Sequence, residues 1–167
     1  MLAIHEAGHA VAYFRMFPGS YAKLVTIESD EDMDLAGYLW PAHDISVFEE
    51  GTPEAVADEL IANRALVACA GYAACILFDW PDEEAASICY QDFEQAGDLK
   101  DYGTSAALEL LRTNVNINAV TIIAEELMGK GTIDSEQVSI LMDVADAKIT
   151  MDDYREFLIN REIARSE

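Results

Sequence analysis

Positive charge is what this sequence has least of: ten lysines and arginines stand against 32 aspartates and glutamates, a formal net charge of -22 at pH 7. Such a surface repels phosphate backbones and anionic headgroups, so nucleic acid and acidic membranes are not expected partners. Cysteine is scarce too. Cys69, Cys75 and Cys89 are odd in number, and none of their spacings is that of a metal-binding pair, so no disulfide framework is implied. They read as reduced, buried thiols of a cytoplasmic protein. The first residues lack a basic stretch followed by a cleavable apolar segment. No uninterrupted apolar run reaches the roughly 18 residues that span a bilayer. The longest candidate, residues 62–78, is broken by Asn63, Arg64 and Gly71, and reads as a core helix rather than a transmembrane segment. Repeats, low-complexity tracts and a G-x-x-x-x-G-K-[ST] loop are all missing, so this chain is not expected to hydrolyse ATP.

With 167 residues, 51% of them hydrophobic, the chain can bury one sizeable core, and a single domain over residues 1–167 is expected. Histidine is as scarce as cysteine, and two of the three stand in His5-Glu6-Ala7-Gly8-His9. This is H-E-x-x-H within an apolar, helix-forming run. Residues four apart stack on one helix face, so both imidazoles can address one ion with Glu6 beside them. Zinc accepts neutral imidazole well, and a catalytic site adds a third protein ligand and a water. Glu6 is the candidate general base for that water. His43 reads as a surface residue.

The motif helix should run over residues 2–17 and stop at Pro18-Gly19. Residues 22–28 and 35–40 read as two strands of a small antiparallel pair over that helix, joined by an acidic turn at residues 29–34. An acidic loop is expected over residues 44–50. Thr52-Pro53-Glu54-Ala55 reads as a capping threonine with proline at the first helical position. The long helix that follows has its apolar residues three and four apart, and Ala70, Gly71, Ala73 and Ala74 leave room for a close helix partner. Asp79-Trp80-Pro81 ends it. A less regular region is expected from Asp82, then a helix from about residues 95–97 to residue 112, with Asp98 in or beside its first turn. Asn114, Asn116 and Asn118 suggest a turn, and residues 119–128 a helix ended by Gly129-Lys130-Gly131. Asp134-Ser135-Glu136-Gln137 is a capping box for a helix to about residue 147, and Thr150 caps a last helix over residues 154–165. The expected class is mainly helical α+β.

The third ligand is open on spacing alone: Glu94, Asp98 and Asp101 lie three or four apart and can share one helix face.

The order of these features resembles the protease domain of the FtsH-type ATP-dependent zinc metalloproteases. His5-Glu6-Ala7-Gly8-His9-Ala10 is similar to that family's zinc motif. Lys23-Leu24-Val25-Thr26-Ile27 and Gly37-Tyr38-Leu39-Trp40-Pro41 are similar to its next two strand segments. Ala70-Gly71-Tyr72-Ala73-Ala74 resembles its alanine-rich helix, and Gln95-Ala96-Gly97-Asp98-Leu99 the segment carrying its aspartate ligand. Ile123-Ala124-Glu125-Glu126-Leu127-Met128 and Ile133-Asp134-Ser135-Glu136-Gln137-Val138 resemble its closing helices. The likeness covers roughly residues 1–140, and only the zinc motif is specific by itself. It implies a zincin-like fold, zinc held by His5, His9 and Asp98, and Glu6 as base of a metalloendopeptidase acting on unfolded or extended polypeptide. Where the family has a pair of glutamates after its small residues, this chain has Cys75-Ile76. No ATPase domain precedes the motif here, so a stand-alone relative is expected. A separate ATPase or unfoldase and a homo-oligomer are left open as partners. Two rivals stand beside the enzyme: a catalytically silent peptide-binding or adaptor domain of the same fold, and a structural zinc domain with its fourth position closed.

Overall fold

A computed structural model describes residues 1–19, 22–29, 37–41 and 52–166. The acidic turn beyond Ser29, the first two residues of the expected second strand, His43 and the acidic loop over residues 44–50 lie outside them.

The motif helix α1 (Leu2–Met16) forms as its sequence demands and is buried on nearly every side, from Ala3 to Tyr13. A helix apolar all round belongs in the middle of a fold. It packs on α2 (Glu54–Leu77), on α6 (Asn114–Lys130) and on the strands β1 (Ala22–Thr26) and β2 (Tyr38–Pro41). The approach to α2 is close. A Cβ on Gly8 would stand 2.6 Å from both the Ala70 carbonyl oxygen and the Ala74 Cβ, so the small residues of the two helices bring their backbones together.

Helix α2 starts at Glu54 with Pro53 at the N-cap, one residue later than the sequence suggests. By length and composition it is apolar enough to cross a membrane, which its interrupted sequence did not suggest. Its buried residues begin at Ala65, and this second half packs against α1, α4 (Tyr90–Ala96) and α5 (Lys100–Leu111). Ile61, read as part of the apolar stripe, is exposed. The helix ends where expected, with Asp79 at a φ of 60° turning the chain toward Pro81.

Two expectations for the middle of the chain are corrected. Residues 82–96 are not irregular but form α3 (Asp82–Ile88) and α4, and the helix expected from residues 95–97 begins only at Lys100, after a short 3₁₀ turn (Gly97–Leu99). Pro81 followed by three acids is a helix start, because acids favour the positive end of a helix dipole. The asparagines at 114, 116 and 118 are not a turn but the opening of α6. Thr113 caps it by accepting from the Asn116 backbone N–H, and Asn116 donates through its side chain to the Leu110 carbonyl at 2.8 Å.

The sheet has a third strand that sequence reading placed within a closing helix segment. β3 (Thr132–Asp134) pairs antiparallel with β1, giving the order β2-β1-β3. In register, Val25 faces Leu39 on one side and Ile133 on the other. Val25 and Ile133 are buried beneath, which fixes the register, since a one-residue slip would turn both to solvent. The capping box is present as read: Asp134 and Gln137 bond reciprocally at the start of α7 (Ser135–Ala145). Thr150 and Asp153 do the same at α8 (Met151–Ser166). The described chain is α+β and mainly helical.

Candidate metal centre

His5 and His9 project from successive turns of α1 toward α2, and their rings meet edge to face at 86°. His9 donates through Nδ1 to the backbone carbonyl of Val67 at 2.8 Å, which leaves Nε2 facing His5 and Asp92. That nitrogen lies 3.1 Å from Nε2 of His5. The carboxylate facing both belongs to Asp92 in α4: its Oδ2 is 3.3 Å from His5 Nε2 and 3.4 Å from His9 Nε2. The three atoms form a nearly equilateral triangle. Four ligands around zinc at ~2.0–2.1 Å stand ~3.3–3.4 Å apart, so the donor set matches one face of a zinc tetrahedron.

Asp98 does not take this place. It sits in the exposed 3₁₀ turn, beyond Gly97, whose φ of 54° ends α4 and redirects the chain. Glu94 accepts from the Tyr90 hydroxyl at 2.8 Å and is exposed, as is Asp101 in α5. The expected common face of these three acids does not exist, because they fall in three separate elements. The sequence does not single out Asp92, because its segment reads as irregular. A signal was present: Asp92-Phe93 is an acid followed by an apolar residue, as is Asp98-Leu99.

Glu6 lies where the motif puts it, with Oε1 3.8 Å from His5 Nε2. Its Oε2 is buried with no hydrogen-bond partner among the described residues. An orphaned carboxylate oxygen is costly to bury and is expected where a ligand or water completes the bonding. Cys89, at the junction of α3 and α4, places its Sγ 3.4 Å from His5 Nδ1. The His5 ring is thus bracketed by Cys89 at one nitrogen and Asp92 at the other, both from a single stretch of four residues.

The site's electrostatics divide one proton unequally. Burial and the neighbouring His9 push His5 down to about 3. Burial also works against a charged His9, but the adjacent Asp92 carboxylate, helped by Glu6 and the Val67 carbonyl, holds its proton and raises it to about 9. Burial raises Glu6 to about 7. Asp92, though burial opposes it, is held below the usual carboxylate range by the two imidazoles. In the metal-free chain near neutral pH, an imidazolium at His9 pairs with the Asp92 carboxylate while His5 is neutral. A divalent cation can take over the role of that proton, since each group offers it a lone pair.

No model of a known protein family matches the chain, and no curated protein matches it either.

Proposed function

We propose that the chain is a zinc-dependent endopeptidase domain with a zincin-like fold, a relative of the FtsH-type proteases. The observation that carries the reading is the triangle of His5 Nε2, His9 Nε2 and Asp92 Oδ2, with the Glu6 carboxylate 3.8 Å from one corner. His5, His9 and Asp92 would hold the metal, Asp92 taking the part that the resemblance gave to Asp98. When bound, zinc supplies a Lewis acid for a peptide carbonyl and lowers the pKa of a water to about 7. Glu6 would accept the proton of a water whose oxygen bonds to the carbonyl carbon, and would hand it to the leaving amine as the C–N bond breaks. The Val67 carbonyl fixes the tautomer of His9 and its direction, a role typical of the groups behind metal-bound imidazoles. The substrate class proposed is unfolded or extended polypeptide in the cytoplasm, presented unaided or by a separate unfoldase.

A structural zinc centre fits less well. Cys89 approaches His5 from the Nδ1 side, and a structural site has no use for an unpartnered Glu6. The silent peptide-binding reading has one observation in its favour: Glu6 is 2% exposed, so a substrate reaches it only after neighbouring groups move. Glu6→Gln separates the two. At matched zinc content the wild type should cleave a denatured, casein-like chain and Glu6→Gln should not. Equal turnover in both, or none in either with an unfoldase present, contradicts the enzyme reading.

A further inference from the structure

The floor under the two imidazoles is backbone. A Cβ built on Gly71 in α2 would stand 2.5 Å from His5 Cε1, 2.5 Å from His5 Nδ1 and 2.5 Å from His9 Nε2, and these ring atoms are its three nearest neighbours. Real Cβ atoms essentially never come that close to another heavy atom. Neither ring can turn aside freely. His9 is tied through Nδ1 to Val67, one helical turn before Gly71, and His5 stands between Cys89 and Asp92. Residues 67 and 71 share one face of α2. The first supplies a carbonyl that aims a ring, and the second supplies the space that lets both rings reach each other.

We propose that Gly71 is a positioning residue for the metal centre, its missing side chain allowing His5 and His9 to converge to a 3.1 Å separation, close enough for both to hold one ion. The inference rests on the metal reading above but concerns a residue that the zinc motif does not contain. A methyl group at 71 would push one ring outward, lengthen that separation and spoil the ligand triangle. The same methyl group would otherwise favour α2, since alanine is the better helix former.

The experiment compares three full-length proteins: wild type, Gly71→Ala and Leu141→Ala. Leu141 is fully buried on α7, a helix that supplies none of the side chains of the site, so its truncation destabilises the fold by a cavity. Zinc affinity is read by competition with a chromophoric chelator, and ligand geometry by the visible absorption of the cobalt(II) form. Gly71→Ala should weaken zinc binding at least ~10-fold, as loss of a group that orients a ligand does, and should alter the cobalt spectrum. Leu141→Ala should melt lower yet keep the wild-type affinity and spectrum. If Gly71→Ala binds both metals as wild type does, the inference is overturned while the metal reading stands. A wild type that binds neither metal overturns both.

Should Gly71→Ala fail to fold, the same change made in the His5→Ala, His9→Ala double variant decides the matter. With the rings gone, it should leave the melting temperature equal to or above that of the double variant. A further fall would show that the obstruction is not with the imidazoles, and the inference fails.

Discussion

His9 donates to the backbone carbonyl of Val67 at 2.8 Å, and since a carbonyl can only accept, this contact fixes the proton on Nδ1 and leaves Nε2 as the nitrogen facing Asp92. A motif on α1 is thereby wired to α2, a helix more than fifty residues further along the chain. The same contact favours a second proton on the His9 ring, since burial's cost to the imidazolium is outweighed by Asp92, Glu6 and Val67.

Zinc uptake should therefore release protons. With His9 raised to about 9, its ring is protonated at pH 7 in the metal-free chain, and ligation requires it neutral. About one proton should leave per zinc at pH 7, and affinity should climb by up to ~10-fold per pH unit until it levels off above the His9 value. Calorimetry in buffers of different ionisation heat measures this directly. Zinc binding at pH 7 without proton release would mean that His9 is neutral beforehand.

Asp92→Asn should lower zinc affinity by at least ~100-fold, more than the ~10–100-fold typical of groups behind the ligands, because it removes a charged ligand atom. Asp98→Asn, in an exposed turn, should change affinity no more than ~2-fold. Chelator competition on both variants checks the pair, and the opposite ranking would restore the placement of Asp98 on the metal.

The far end of α1 carries a different kind of anchor. Arg15 grips Asp146, just past α7, through two nitrogens at 2.5 and 3.1 Å, and reaches Asn116 of α6 through Nε at 3.0 Å. The bond from Arg15 holds the Asp146 carboxyl below its ordinary value of 3.8, with partial burial opposing and Lys148 assisting. A carboxylate depressed in the folded state stabilises above its unfolded pKa and loses that contribution as pH falls through the folded value. Asp146→Asn should cost about 1.5–3 kcal/mol near neutral pH. The gap to wild type in urea unfolding should close below about pH 4. A gap unchanged down to pH 2 would show that the loss is not electrostatic.

The extent of α1, the two strand segments described, the long alanine-rich helix and the capping box at Asp134 could be read from the chain because each depends on local signals: periodicity, a Pro-Gly stop, an Asp and a Gln three apart. β3 could not be read that way. It is three residues long, and it is a strand only because β1 offers an unpaired edge beside Val25. His5, Glu6 and His9 were legible because one helix carries all three. Asp92 was not, since its place depends on how α4 docks against α2. The break at Gly97, which no periodicity announces, takes Asp98 and Asp101 off α4, and on α4 itself Asp92 faces the imidazoles while Glu94 is exposed. Val67 and Gly71 act through a carbonyl and an absent side chain, and their part emerges only once α1 and α2 are packed.

X-ray absorption at the zinc edge, on full-length protein loaded with one equivalent, tests the central claim most directly. The account predicts nitrogen and oxygen neighbours only, at ~2.0–2.2 Å, with the multiple-scattering signature of two imidazoles. Asp92→Asn should change that spectrum and Glu6→Gln should leave it intact. A sulfur neighbour at ~2.3 Å would place Cys89 on the metal, and a chain that retains no zinc would remove the centre altogether.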